Sequence, residues 1–304
     1  MLISPEGAAG PSRPPRARKK CRGKGYLPYL YLLPILVFAA VFTYQPFFRV
    51  VVQSLGTVGA GGKFLKFVGL DNYRYLFGNG DFQNAFAVTM KLAAMFVPLN
   101  LALSLTIALL CSKKRRLSPV YEMMFLLPMA ISMSALSMIF QLMLNPTSGI
   151  VNHLLGVDWG WFSDPRFALY GILLVCLWMG VPFDSLVLLA AMRNIPPSML
   201  EAATMDGAGP AARLFYIRLP VLSPMIFYIV CTDVIASVMT SGPVMIITEG
   251  GPSRSTTTLI YMMYTSGFQS SNYSLAACIS IFVFALTLLF TLLAFSFEKK
   301  VYYQ

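Results

Sequence analysis

The stretch EAATMDGAGPAARLFYIRLP, residues 201–220, decides how this chain is read. It carries four charged side chains, a Gly-Ala-Gly-Pro break and a closing proline. The chain around it is 57% hydrophobic and only 12% charged, against roughly a quarter charged in ordinary soluble domains. With 304 residues and a mean hydropathy of +0.68, there is too little polar surface to cover a soluble core. The composition fits a bilayer as solvent, and a long polar hairpin in such a chain needs its own explanation.

Outward from the hairpin lie six apolar runs, at 27–48, 88–110, 121–144, 168–189, 221–247 and 275–297. Each matches the roughly 20 helical residues that cross a hydrocarbon core. The first run exceeds the ~7–15 residues of a signal core, and no small-x-small site follows it. It reads as an uncleaved span with an aromatic belt, VFTYQPFFRV, at its far end. Residues 1–25, rich in Pro, Arg, Lys and Gly, read as a disordered basic tail. The expected fold class is an all-α integral membrane protein of six transmembrane helices, residues 26–304.

The net charge of +11 has a topological origin. Seven Lys and Arg lie in the tail, four at Lys113, Lys114, Arg115 and Arg116, three at Arg193, Arg213 and Arg218, and two at Lys299 and Lys300. With the N-terminus inside, these sixteen of 23 basic residues fall on the cytosolic side, as the positive-inside rule requires for two cytosolic termini. The other seven (Arg49, Lys63, Lys66, Arg74, Lys91, Arg166 and Arg254) are assigned to the outer loops. The pI needs no nucleic-acid partner.

On this topology the hairpin is cytosolic. Pro196 and Pro197 stop the fourth span and open a new helix, where proline is tolerated. Glu201 in an early turn suits the helix dipole. Gly207 and Gly209-Pro210 break the helix; AARLFYIRLP forms a second short helix, and Pro220 starts the fifth span. Connections usually need about 2–8 residues, and 193–220 is far longer. Ala202, Ala203 and Ala208 allow close approach of a partner, and Glu201, Asp206, Arg213 and Arg218 offer charge pairs to fix register. The segment reads as a docking element.

Outside, residues 67–86 read as a short interfacial helix with Asp71 as N-cap and Asp81 capping the entry to the second span. Between spans three and four, turn signals and two tryptophans suit the lipid interface. EGGPSRSTTTLIYMMY opens with a turn. GTVGAGGK, residues 56–63, only mimics a phosphate loop: Thr57 stands where the first glycine belongs, and Phe64 replaces the magnesium-ligating Ser or Thr.

Asp184 and Asp233 lie inside apolar runs, where a carboxylate costs ~2.5–3.5 kcal/mol. Such groups face a bundle interior or a pathway, so Asp184, Asp233, Gln141 and Asn100 are the pathway candidates. Thr232, Ser237 and Thr240 suit interhelical glue. Glu122 is expected to pair with the basic run at Lys113–Arg116. His153, the single histidine, builds no metal or catalytic site, and no catalytic or metal-binding residue is expected. The five cysteines read as apolar fillers.

EAATMDGAGPAARLFYIRLPVLSP resembles the EAA loop of the membrane subunits of ATP-binding-cassette importers. Glu201, Ala202 and Ala203, then Asp206, Gly207 and Ala208, then Ile217, Leu219 and Pro220 match its pattern; Leu214 departs from it, with the aromatic displaced to Phe215. FVGLDNYRYLF, LPMAISMSALSMIFQLMLNPTSGIVNHLLG and GGPSRSTTTLIY are similar to segments of the carbohydrate-uptake, maltose-type permeases, and DGAGP, STTTLIY and VYYQ to those of glycerol 3-phosphate importers. The resemblance implies a permease subunit in a bacterial cytoplasmic membrane that passes an oligosaccharide, monosaccharide or glycerol 3-phosphate. It implies a second homologous permease, an ATPase dimer that engages the loop and an extracytoplasmic solute-binding protein. ATP and magnesium would sit on the ATPase, with no cofactor on this chain. The rival is an ion-coupled secondary transporter using Asp184 and Asp233; it usually shows an internal repeat, and none is evident.

Overall fold

The structure, a computed structural model, describes residues 27–112, 116 and 118–301. The basic tail and Lys113, Lys114 and Arg115 lie outside them. The chain divides into two units at Phe48 and Arg49. In the first, α1 (Leu27–Ala39) leads into a π-helical segment, Ala40–Tyr44. The helical run continues as α2 (Gln45–Ser54), so it is longer than the expected 27–48 run.

The second unit opens with a two-stranded antiparallel hairpin, β1 (Gly56–Val58) and β2 (Phe64–Phe67), with Gly56 opposite Phe67 and a bulge after Thr57. The phosphate-loop mimic is therefore a β-turn region, and Gly61 and Gly62, at φ 78° and 77°, supply the left-handed residues the reversal needs. The Val58 N–H donates to Ser274 Oγ at 2.8 Å. The Asn72 amide donates to the carbonyls of Ser54 (3.0 Å) and Gly56 (2.9 Å). Helix α3 (Asp71–Gly78) follows. Asp71 sits in its first turn rather than capping it, and Asn79, not Asp81, caps the next helix by accepting from the Asp81 N–H.

That helix, α4 (Gly80–Cys111), has 32 residues and is about 48 Å long. Lys91 lies within it, which corrects its assignment to an outer loop. The third apolar run is not one straight span. α5 (Ser118–Leu126) passes through a 3-10 turn, Leu127–Ala130, and then α6 (Met133–Met143) departs at 99°. Pro128 removes a backbone donor, and Ser132 Oγ accepts from the Ala135 N–H to start the new helix. α7 (Ile150–Leu155) lies in the following loop. There Asn152 ties the turn together, donating to the Trp159 carbonyl at 2.8 Å and accepting from Trp161 Nε1 at 2.6 Å.

α8 (Ala168–Arg193) covers the fourth apolar run. α9 (Pro197–Met205), α10 (Pro210–Arg213), a π segment (Leu214–Arg218) and α11 (Leu219–Val238) follow. The helical run Pro210–Val238 is unbroken, so Pro220 does not start the fifth span but lies inside it. This helix also ends at Val238 rather than at 247: residues 239–241 leave the helix, and Pro243, which has no N–H to give the Met239 carbonyl, stands in the next helical turn before the π segment Val244–Thr248. α12 (Leu259–Tyr264), a π segment (Thr265–Gln269) and α13 (Tyr273–Val301) complete the chain. Among the described residues, five helices are long and apolar enough to cross a membrane, six if the bent α5–α6 pair counts as one.

Both π segments that precede a proline are placed alike: Tyr44 and Arg218 each stand two residues before one, Pro46 and Pro220. A helical proline crowds the carbonyl four residues back; the wider i→i+5 turn moves that carbonyl aside without ending the helix.

Candidate functional site

The hairpin between α8 and α11 is stiff for local reasons. Helix α9 closes in a Schellman turn: the Ala208 N–H donates to the Ala203 carbonyl at 2.9 Å and the Gly207 N–H to the Thr204 carbonyl at 3.1 Å. Gly207 adopts φ 77°, a conformation that costs a side chain energy. Gly209 and Pro210 then begin the second arm. Arg213 Nη1 reaches back to Thr204 Oγ1 at 3.0 Å and joins the two arms.

The hairpin's root is packed and its tip is not. Ile195 and Leu222 are buried with Met192, Leu188, Ala108 and Cys111 in one apolar cluster, and Leu200 packs against it. Of the motif residues, Ala203 is buried, which corrects its expected place on the outer face. Ala208, Ile217, Leu219 and Pro220 are half-buried, and Glu201, Ala202, Asp206 and Gly207 are exposed. Glu201 lies beyond the first turn of α9. Met205 and Tyr216 are 88% and 82% exposed, which leaves an apolar tip uncovered. Leu214 is half-buried and Phe215 exposed. Glu201, Asp206, Arg213 and Arg218 form no ion pairs among the described residues.

Above the hairpin, the helices converge on Asn100. Its amide nitrogen, on α4, donates to Asp184 Oδ2 on α8 at 2.5 Å and to Asp233 Oδ2 on α11 at 2.9 Å. All three residues are buried, and Asn100 Oδ1 has no partner. Gly180 permits the approach: a Cβ there would stand 2.9 Å from Asn100 Oδ1 and 3.0 Å from the Phe96 ring. Asn100 lies 11 residues before the end of α4 and Asp184 nine before the end of α8, placing the cluster about 14–17 Å above the hairpin end. Gln141, exposed on α6, has no hydrogen bond to this cluster. Thr232 and Ser237 donate to carbonyls of their own helix rather than across helices.

A second polar tie was not foreseen. The Arg193 guanidinium pairs with the Glu122 carboxylate in a two-pronged ion pair, one prong at 3.0 Å, and donates to the Cys111 carbonyl at 3.3 Å. Among the described residues, Glu122 thus pairs with the end of α8; Lys113, Lys114 and Arg115, among its expected partners, lie outside them. The sequence signal was a lone acid at the start of one apolar run and a lone base at the end of another.

Residues 100–302 match the family described as binding-protein-dependent transport system inner membrane component. The chain belongs to this family. The match covers both the Asn100 cluster and the hairpin of this permease. Over 284 residues the chain is 32% identical to the sn-glycerol-3-phosphate transport system permease protein UgpA of Pectobacterium atrosepticum. It is 33% identical to that of Salmonella typhimurium; each alignment covers 92% of this chain and 96% of the relative. The permease fold is also similar to a chain of a bacterial alginate ABC transporter, solved in complex with its alginate pentasaccharide-bound periplasmic protein. That match has a TM-score of 0.80 at 22% identity and covers 91% of this chain and 96% of that one. A second structure, of a bacterial ABC transporter involved in importing the acidic polysaccharide alginate, matches at 0.80 and 21%.

Proposed function

We propose that this chain is one of two homologous permease subunits of an ATP-driven importer for a sugar or sugar-like solute. It sits in a bacterial cytoplasmic membrane with both termini and the 193–220 hairpin in the cytosol, and the bent α5–α6 pair serves as the third of six spans. The hairpin docks on a separate ATPase dimer that holds ATP and magnesium, and an extracytoplasmic binding protein delivers the solute. Residues 26–304 form the permease domain and bind no cofactor of their own.

The observation that carries this reading is mechanical. The hairpin's second arm is continuous with the helix that bears Asp233, about 35 Å from Pro210, and α8, which enters the hairpin, bears Asp184. A displacement of the hairpin is thereby passed to both helices whose carboxylates close on Asn100. Glu201 and Asp206, free of ion pairs, and the uncovered Met205 and Tyr216 supply what a partner groove would take up. In this state Asn100, Asp184 and Asp233 join helices; Gln141, being exposed, is the candidate left to line the pathway.

Reconstitution with the ATPase, the second permease and the binding protein tests it. Glu201→Lys and Gly207→Pro are expected to abolish ATP-driven uptake while membrane insertion persists. Proline cannot adopt the φ of Gly207. Uptake at the unsubstituted rate by both variants defeats the proposal.

A further inference from the structure

Three unusual backbone features meet at the end of the helices away from the hairpin. Glu249, Ser253 and Arg254 are non-glycine residues in the left-handed region, at φ 48°, 49° and 60°. The π turn Val244–Thr248 ends immediately before Glu249, and the π segment Thr265–Gln269 runs close by. Glu249, Arg254 and the second π segment border one polar cavity of about 460 Å³, whose lining includes Asp81, Thr257, Tyr261 and Gln269. Strained residues and π turns gather at sites that bind or switch, and the volume lies in the small-molecule range.

The cavity wall is tied together by bonds that engage part of its lining and leave Glu249 without an ion pair among the described residues. Thr256 Oγ1 donates to the Gly251 carbonyl at 2.7 Å, and Thr257 Oγ1 to the Gly250 carbonyl at 3.0 Å. A Cβ at Gly250 would stand 2.6 Å from Thr257 Oγ1 and 2.7 Å from the Tyr261 ring, so only glycine lets the loop lie this close. The Asn84 amide donates to the Arg254 carbonyl at 2.9 Å, and the Arg254 guanidinium pairs with Asp81. That ion pair consumes the one cation in the lining among the described residues. Glu249 forms no ion pair among the described residues and remains the uncompensated charge.

We infer that this cavity is an entry subsite for a neutral polyhydroxylated solute, taken up before the membrane passage. The inference rests on the importer reading and narrows its cargo. A carboxylate only accepts hydrogen bonds, so Glu249 suits the hydroxyl groups of a polyol. Gln269 and the Ser266 and Ser270 hydroxyls can both donate and accept, the Thr257 and Thr265 hydroxyls, which donate to backbone carbonyls, can still accept, and the Tyr261 ring offers an apolar face. A phosphorylated or uronic solute would meet Glu249 with like charge. The neighbouring cation on α4, Lys91, is ten residues beyond Asp81, about 15 Å along the helix, and is not in the lining. The chain should thus differ in cargo from relatives named for glycerol 3-phosphate and alginate.

Equilibrium dialysis of the full chain in lipid nanodiscs tests this, with maltose, glucose and glycerol as neutral probes and glucose 6-phosphate as the anion. Saturable binding of at least one neutral probe is expected, with glucose 6-phosphate weaker by about tenfold or more. A hydrogen bond to a charged group is worth about that factor. Glu249→Gln should narrow this discrimination and Glu249→Lys reverse it; Gln269→Ala, which leaves the charge in place, should weaken neutral binding about tenfold and keep the preference. Absence of saturable binding by all three neutral probes overturns the inference, as does an unchanged preference in both Glu249 variants. If the cavity is instead protected only by the binding protein, with no sugar bound, it is a docking surface and the inference falls. The hairpin variants report separately on the importer reading, since they act at the other end of the molecule.

Discussion

The same two helices, α8 and α11, carry two polar regions of opposite character. At mid-length their carboxylates are buried and meet on one amide. At their hairpin ends, the charges of Glu201 and Asp206 are exposed and unpaired. A lipid core leaves polar groups no partner but one another, so the buried set must satisfy itself within the chain. The hairpin is under no such demand, and its free charges are available to another protein. Stability and function are therefore expected to separate along one pair of helices.

The sharpest way to break that contrast is Asn100→Leu. It leaves two buried carboxylates without their shared donor and should cost about 1–3 kcal/mol, read by denaturant titration in mixed micelles; a wild-type midpoint would mean the cluster holds nothing together. Gly180→Leu attacks the same place sterically, and overpacking predicts a loss of roughly 1–3 kcal/mol. A smaller effect, about 1 kcal/mol, is expected for Gly207→Ala from the left-handed strain alone; no change in stability would show that the Schellman turn is dispensable. Thr204→Val removes the bond between the hairpin arms, for about 0.5–1.5 kcal/mol. Least of all, Glu201→Ala should stay within roughly 0.5 kcal/mol of wild type yet lose ATP-driven uptake. Should it unfold the chain as Asn100→Leu does, the proposed separation of the two regions fails.

The sequence made the hairpin's shape legible because its signals are local. Pro196-Pro197, Gly207 and Gly209-Pro210 each act within a few residues, and each marks a real boundary. Pro220 misled because a proline is read as a start, whereas the π segment before it lets the helix run on. The bend in the third span was hidden in another way: hydropathy averages over residues 121–144 and carries no direction, so Pro128 and Ser132 passed as ordinary span residues. The fifth span was overextended past Gly242-Pro243 for the same reason. Asn100, Asp184 and Asp233 could be picked out singly as costly residues in apolar runs. Their meeting could not, since it joins positions 84 and 133 residues apart and depends on the absence of a side chain at Gly180.

The amide nitrogen of Asn100 has two protons, and each is already given to a carboxylate. What remains facing inward at that depth is a set of oxygen lone pairs. A hydroxylated cargo that reached it would find acceptors, with the Asn100 amide protons available only by prying a helix loose. Selecting the cargo and unclasping the helices would then be a single event, so a passenger engaging this level would also loosen the gate through which it passes.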